Sequence, residues 1–359
     1  MANVRLRCTT SDIFVMIKSL ESSTESDMIS VHVYALRAEA CNVISLDLRP
    51  LKGESLPTFK AGSHIDLEVP LHAQSTSLIR QYSLCNSSQE QHRYVVGVGR
   101  DPSSRGGSNA IHDSVRLGDT LLISAPRNNF SLNEDALYSV FIAGGIGITP
   151  ILSMVRRLFL LGRAFTLYYC VRTPSRAAFI EELMALTPPS SPGRLMTVFD
   201  GMPGVERLDL DAIVKQAPVG SHFYCCGPAP MMKSFVQATR AVDESHLHVE
   251  WFSAPVVAVS KDPIHEKVNT DGAFTVQLKR KGKTFTIPAD KTILEVLLQG
   301  GVDVDYSCRE GLCGSCETRV IAGVPDHRDT IFSGKKEPPL DKIMVCVSRC
   351  TGQELVLDL

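Results

Sequence analysis

Four cysteines carry the chemistry that stands out first. The loop Cys308-Arg309-Glu310-Gly311-Leu312-Cys313-Gly314-Ser315-Cys316 spaces three of them as C-x4-C-x2-C, and Cys346 follows near the C-terminus. That is the ligand pattern of a plant-type [2Fe–2S] cluster, in which two irons each take two thiolates. Gly311 and Gly314 clear side chains from the places where backbone N–H groups must approach sulfur. Structural zinc prefers two separated C-x2-C pairs. A [2Fe–2S] centre passes single electrons, so the rest of the chain is expected to supply and receive them.

A second set of residues suits a flavin. In Arg80-Gln81-Tyr82-Ser83-Leu84-Cys85-Asn86, strand alternation puts Arg80 and Tyr82 on one face. Arg80 offers a planar fork of donors to a phosphate, Tyr82 an aromatic wall, and Ser83 a hydroxyl for a ring nitrogen. Gln81, and Val98 on a neighbouring strand, join this set. Downstream, Arg105-Gly106-Gly107-Ser108 opens a helix. Several N–H groups and a helix dipole then point at one spot, which favours an anion.

A third set suits a nicotinamide dinucleotide. Gly144-Gly145-Ile146-Gly147-Ile148-Thr149-Pro150 follows an apolar strand and starts a helix. Glycines let the backbone approach a pyrophosphate, and Pro150 suits a first helical turn. Later comes Tyr224-Cys225-Cys226-Gly227-Pro228, where Cys226 is expected to border the reacting ring. Ligands of open α/β sheets lie at the carboxyl ends of strands. Glu250-Trp251-Phe252 closes this region, and an aromatic there suits a cover for a flavin ring.

The elements that must position these groups fall into three rhythms. From residue 29 to about 133, short strands at 29–35, 43–48, 64–69, 79–84, 94–98 and 120–124 suggest an antiparallel barrel with one helix at 108–115. From 134 to about 252, strands at 139–143, 165–170, 195–199 and 222–226 alternate with helices at 150–161, 177–185 and 229–240. That alternation predicts a parallel α/β sheet. Residues 253–271 read as a linker, and 272–359 as an α+β domain with a hairpin at 274–278 and 283–287, a helix at 292–299 and a strand at 343–347. Residues 1–28 read as an extension without chemistry.

Composition sets bounds on the whole. A chain of 359 residues with 44% hydrophobic and 21% charged residues is ordinary for a multidomain globular protein. A net charge of −2 gives no reason to expect nucleic acid or an anionic membrane as partner. The cysteines outside the ligand set are scattered, and thiolate ligands with free thiols point to a reducing cytoplasm. The apolar run 140–155 is shorter than a membrane helix and is interrupted by glycines and Pro150.

Taken together, these residues resemble the phthalate dioxygenase reductases and their relatives, the vanillate demethylase reductases. The likeness runs through Arg80–Asn86, Arg105–Ser108, Gly144–Pro150, Tyr224–Pro228, Cys308–Cys316, Asp326–Asp329 and the closing Leu355–Leu359. It implies an FMN barrel, an NADH domain and a plant-type ferredoxin domain in one chain. By position it implies Arg80, Tyr82 and Ser83 at FMN, with Arg105–Ser108 at its phosphate. Gly145, Gly147 and Thr149 would hold the dinucleotide, Cys226 would lie near the nicotinamide, and Phe252 would cover the flavin. Asp326–Asp329 would brace the cluster domain. The implied activity is reduction of a Rieske-type oxygenase, with NADH as a two-electron donor and the cluster as the single-electron outlet. Arg309 and Glu310 are candidates for docking the oxygenase.

The chain departs from that pattern after Cys170-Val171-Arg172. Thr173 stands where relatives tend to carry Asp, and Arg176 where they carry a small residue. NADH remains the expected donor, with NADPH as the alternative that Ser175-Arg176 would admit. Two other functions compete: a reductase for a haem-type acceptor, and a flavin/iron–sulfur redox sensor without turnover.

Overall fold

The computed structural model describes residues 28–71, 76–101, 106–253, 272–333, 335 and 337–359. The expected N-terminal extension, except Met28, lies outside the described residues, as do Arg105 and the expected linker after Ser253.

Six antiparallel strands build the first unit: β1 (Ile29–Ala40), β2 (Val43–Pro50), β3 (His64–Leu71), β4 (Thr76–Ser83), β5 (Tyr94–Gly99) and β6 (Thr120–Ile123). Their order is β4-β3-β6-β1-β2-β5, and a bridge between Leu84 and Val96 joins the two edges into a barrel. Alternation fills its interior with Val31, Val33, Leu46, Leu48, Ile65, Leu67, Val96 and Val98, none of them accessible to solvent. Helix α1 (Gly107–Ser114) crosses beside β3, β4 and β5. Strands β1 and β2 run longer than the sequence suggested, because bulges at Val33/Ala35 and Ala38/Ala40 let the pairing continue through polar residues.

The second unit is a five-stranded parallel sheet in the order β11-β10-β7-β8-β9. Its strands are β7 (Ser139–Gly144), β8 (Phe165–Val171), β9 (Gly193–Phe199), β10 (His222–Cys226) and β11 (Leu247–Glu250). Helices α2 (Ile148–Leu161) and α3 (Ile180–Leu186) accompany β7–β9, while α4 (Leu210–Gln216) and α5 (Ala229–Ala238) pack with β10. From β7 the chain proceeds outward to β8 and β9, then returns to place β10 on the other side of β7. The order therefore reverses between β7 and β10, and a crevice opens at the carboxyl ends of those two strands. Helix α4 and strand β11, short and only partly buried, carry no clear signal in the sequence.

The C-terminal unit has the order β13-β12-β18-β14-β16. It comprises β12 (Phe274–Leu278), β13 (Lys283–Ile287), α6 (Ile293–Gln299), β14 (Glu317–Ala322), the two-residue β15 (Pro325–Asp326), β16 (Lys342–Met344), β17 (Arg349–Cys350) and β18 (Glu354–Leu357). The hairpin β12–β13 lies where expected. Thr292 and Glu295 form a capping box at the start of α6, so the helix proper begins one residue later than expected. The strand expected over 343–347 ends at Met344, and Cys346 sits on the turn that follows. Among the described residues no helix is long and apolar enough to cross a membrane.

Candidate functional site

The barrel, the parallel sheet and the cluster loop meet around one cleft of about 200 Å³. Barrel strands contribute His64, Gln81, Tyr82, Ser83, Gly97 and Gly99 to its wall. The crevice contributes Ile146 and Thr149, the segment after β11 contributes Trp251 and Phe252, and the cluster loop contributes Leu312. A larger, open hollow of about 410 Å³ lies against Tyr138, Tyr168 and Met196, far along the sheet and without reactive groups.

One corner pairs Ser83, His64 and Glu250. His64 and Ser83 face each other across β3 and β4. The Ser83 hydroxyl donates to Glu250 Oε2 at 3.3 Å. Protein packed densely around the Glu250 carboxyl pushes its pKa up to about 8, although the residue keeps some opening to the cleft. It is therefore mostly protonated at pH 7. Burial drives His64 the other way, to about 4, with the nearby Arg127 acting in the same direction. Its Nε2 has no hydrogen-bond partner among the described residues. A neutral imidazole, a hydroxyl and a neutral carboxyl thus line one wall, which suits the polar edge of a heteroaromatic ring. Neither His64 nor Glu250 is marked by the sequence as a site residue. The signal for Glu250 was an acidic residue at the end of a strand beside two aromatics.

Arg80 lies against the opening of α1. A Cβ on Gly107 would come within 2.7 Å of Arg80 Cγ and 2.9 Å of its Nε. Glycine there leaves room for Arg80 to lie against the opening of the helix, an arrangement whose charge and dipole suit an anion. Gly106 caps the helix in the left-handed conformation, and Ser108 Oγ accepts from the Asp101 amide at 3.3 Å. Arg105 lies outside the described residues. Val98 points into the barrel core, away from the cleft, and its carbonyl meets His112 Nε2 at 3.0 Å.

The glycine turn after β7 packs directly on the end of β10. A Cβ on Gly147 would lie 2.2 Å from the Cys226 carbonyl oxygen, and one on Gly144 would lie 2.5 Å from Pro228 Cδ. Gly227 is in turn seated against Gly144. Gly145 takes φ of +55° at the tip of the turn. Thr149 donates to the Ile146 carbonyl at 3.0 Å and presents its remaining face to the cleft. Cys226 is fully buried, pairs in register with Glu250, and is not among the cleft-lining residues. Burial keeps its thiol protonated, well above the ordinary thiol range. Phe252 is 43% exposed and lines the cleft.

The four expected cluster ligands fall into two neighbouring pairs, Cys308 with Cys313 and Cys316 with Cys346. Among the described residues no set of three or more converges on one point as a single metal ion would require. Two pairs fit a two-iron cluster, each pair to one iron. The amides of Glu310 and Leu312 donate to Cys308 Sγ at 3.3 and 3.4 Å, and that of Ser315 to Cys313 Sγ at 3.4 Å. Such bonds stabilise thiolate ligands. Behind the loop, Thr330 donates to the Gly311 carbonyl from both its amide and its hydroxyl at 3.0 Å. Buried Asp329 accepts from the Ile331 and Phe332 amides and from Ser348 Oγ. Thr330, the residue after the expected bracing segment Asp326–Asp329, thus makes the hydrogen bonds to the cluster loop, and Asp329 orders the chain behind it.

Comparison with known proteins agrees with this division. Residues 276–351 match the model of a 2Fe-2S iron-sulfur cluster binding domain, and residues 141–237 that of an oxidoreductase NAD-binding domain. The chain is 43% identical over 331 residues to the phenoxybenzoate dioxygenase subunit beta of Ectopseudomonas oleovorans, covering 92% of this chain and 97% of that one. It is similar to the solved structure of phthalate dioxygenase reductase, described as modular for electron transfer from pyridine nucleotides to [2Fe-2S], with 37% identity and a TM-score of 0.64 over 93% of this chain and 98% of that one. An intact type IV self-sufficient cytochrome P450 monooxygenase shares 33% identity and a TM-score of 0.80 over 92% of this chain, which spans 41% of the larger protein.

Proposed function

The chain belongs to the phthalate dioxygenase reductase family, an oxidoreductase with NAD-binding and [2Fe–2S] domains, and we propose that it is the reductase component of a Rieske-type oxygenase system. The proposed donor is NADH, the proposed flavin FMN, and the proposed acceptor an oxygenase or demethylase acting on an aromatic compound.

The observation that carries this reading is the shared cleft. Its wall contains Ser83 of the barrel, Thr149 of the nicotinamide crevice and Leu312 of the cluster loop. A flavin bound there would receive a hydride on one side and release electrons toward the cysteines on the other; that redox chemistry belongs to the cofactors. The chain's own groups bind and orient. Arg80 and the opening of α1 would hold the phosphate. Tyr82 would flank the ring, and Ser83, with its partner Glu250, would meet the ring's polar edge. Phe252 would exclude water until the nicotinamide takes its place. Gly144, Gly145, Gly147, Gly227 and Pro228 would shape the dinucleotide bed, with Cys226 behind it.

The proposed domain limits are 29–133 for the flavin barrel, 134–252 for the nicotinamide domain and 272–359 for the ferredoxin domain. A cytoplasmic location is proposed from the thiol usage. A second reading, electron supply to a haem acceptor, draws on the likeness to the P450 monooxygenase. Anaerobic titration with NADH, followed by visible absorption and low-temperature EPR, tests the electron path. Bleaching of the flavin together with a reduced [2Fe–2S] signal is expected. A cluster that stays oxidised would overturn the coupling. Reconstitution with a Rieske oxygenase and with a haem monooxygenase then separates the two acceptors.

A further inference from the structure

The carboxyl end of β8 neighbours the glycine turn after β7, and the adenosine ribose of a bound dinucleotide belongs at that edge. An acidic residue there hydrogen-bonds the ribose 2′-hydroxyl, whereas arginine accommodates a 2′-phosphate. The residues at this position are Arg172, Thr173, Pro174, Ser175 and Arg176, without a carboxylate.

Geometry makes a cradle of them. Residues Pro174–Arg176 form a single 3-10 turn, closed by Arg176 N to Thr173 O and Ala177 N to Pro174 O, both at 3.0 Å. The barrel fastens the turn from outside, because the Cys41 amide donates to the Ser175 carbonyl at 2.8 Å. The Thr173 and Ser175 hydroxyls lie 3.0 Å apart. Ala177 and Ala178 are buried and anchor the exit. Arg172 and Arg176 are exposed, and neither forms an ion pair among the described residues. Asp200, just past β9, is the carboxylate next along this edge, and it too is without an ion-pair partner among the described residues.

We propose that this turn is a 2′-phosphate subsite, so that the protein accepts NADPH as well as NADH. The proposal rests on the nicotinamide reading above and refines it. The two hydroxyls donate to the phosphate, and Arg176, supported by Arg172, supplies the charge. An unpaired guanidinium beside preset hydroxyls has little to give up on binding a dianion.

The test measures binding of two probes to the full-length holoprotein by calorimetry: adenosine 2′,5′-bisphosphate and ADP. Anaerobic flavin bleaching by NADPH and NADH runs in parallel. The bisphosphate is expected to bind at least as tightly as ADP, with affinity that falls steeply as salt rises. Arg176→Ala should weaken the bisphosphate by about tenfold, the scale of one charge-assisted contact, and leave ADP nearly unchanged. Thr173→Asp should reverse the preference. A wild-type protein that binds ADP but holds the bisphosphate about a hundredfold more weakly would overturn the proposal. So would an Arg176→Ala variant that loses both probes equally. If both nucleotides fail to bleach the flavin, the reductase reading itself falls. If NADH succeeds and NADPH does not, only the subsite falls.

Discussion

Asn129 Nδ2 donates a 2.7 Å hydrogen bond to the backbone carbonyl of Cys313, tying the segment that leaves the barrel to the middle of the cluster loop. A Cβ on the adjacent Gly314 would lie 3.2 Å from the same Asn129 nitrogen, so the loop meets that side chain backbone first. The contact sits beside Leu312, which lines the shared cleft.

Replacing Asn129 with alanine removes this tie while leaving every ligand sulfur and the cleft wall in place. One hydrogen bond nets about 1 kcal/mol, which shifts a docked–undocked equilibrium of the loop about fivefold. Stopped-flow reduction by NADH should show flavin bleaching at the wild-type rate and cluster reduction slowed by up to that factor. Equal rates for both phases would show that the contact has no part in presenting the loop.

Glu250 should impose a pH dependence between about pH 4.5 and about pH 8. Its carboxyl has a native pKa near 8 against an ordinary value of 4.5. The native state therefore holds this proton more tightly than the unfolded chain does. The resulting stability is fully present below about pH 4.5 and is lost as the pH rises through about 8. Above that, a carboxylate sits against Ser83 in the cleft wall. The melting temperature should fall as the pH rises from about 4.5 to about 8 and level off above it, and the rate of flavin bleaching by NADH should decline as the carboxyl ionises near pH 8. Glu250→Gln keeps a neutral group of the same shape, and both profiles should flatten. A variant that retains the wild-type decline would assign it to another group.

The cluster loop was legible because ligand spacing is a local property. So were the barrel and the alternating sheet, since a hydrophobic period of two, or strand–helix alternation, is written in consecutive residues. What was not legible depends on packing between distant segments. Val98 reads like any strand residue, yet the barrel's closure turns its side chain into the core. Cys226 ends a strand at the right crevice, but the Gly147 turn covers it and leaves it buried. His64 and Glu250 stand 186 positions apart and meet only because Ser83 lies between their strands.

A histidine pair at the other end of the sheet should make the protein acid-labile. His222 Nδ1 lies 3.0 Å from His248 Nε2, and the His248 ring stacks on Tyr224 with centroids 4.3 Å apart. Burial, followed by the neighbouring imidazoles His222 and His246, depresses His248 to about 4 from 6.5. The unfolded chain thus takes up a proton here below pH 6.5 while the native state refuses it until about pH 4. Stability is complete above 6.5 and is lost across that window. Discounted for partial exposure, the loss is about 1 kcal/mol, or about 2–4 °C in melting temperature. His248→Phe keeps the stacked ring and removes the titration, so its melting curve should fall less between pH 6.5 and 4. A slope unchanged from wild type would assign the acid lability to another group, His64 and His222 among them.

Two glycines of the C-terminal unit separate backbone strain from steric demand. Gly301 has φ of +68° and a Cβ there would meet nothing within 4 Å, whereas Gly311 has φ of +69° and a Cβ would lie 2.6 Å from Val347 Cγ2 and 2.9 Å from the Asp329 Cα. Alanine at either position takes on the left-handed penalty of about 1 kcal/mol. At Gly301 that is the whole cost, and cluster incorporation should be unaffected. At Gly311 the new methyl must also displace the segment whose Thr330 donates twice to the Gly311 carbonyl. Backbone on that side cannot yield without moving the loop that carries Cys308 and Cys313. Gly311→Ala should therefore lower the iron content of the purified protein and its visible cluster absorbance by more than half, while its flavin content stays at the wild-type level. Matching iron contents in the two variants would show that the loop tolerates the displacement, and that the brace from Asp329 and Thr330 is softer than its hydrogen bonds imply.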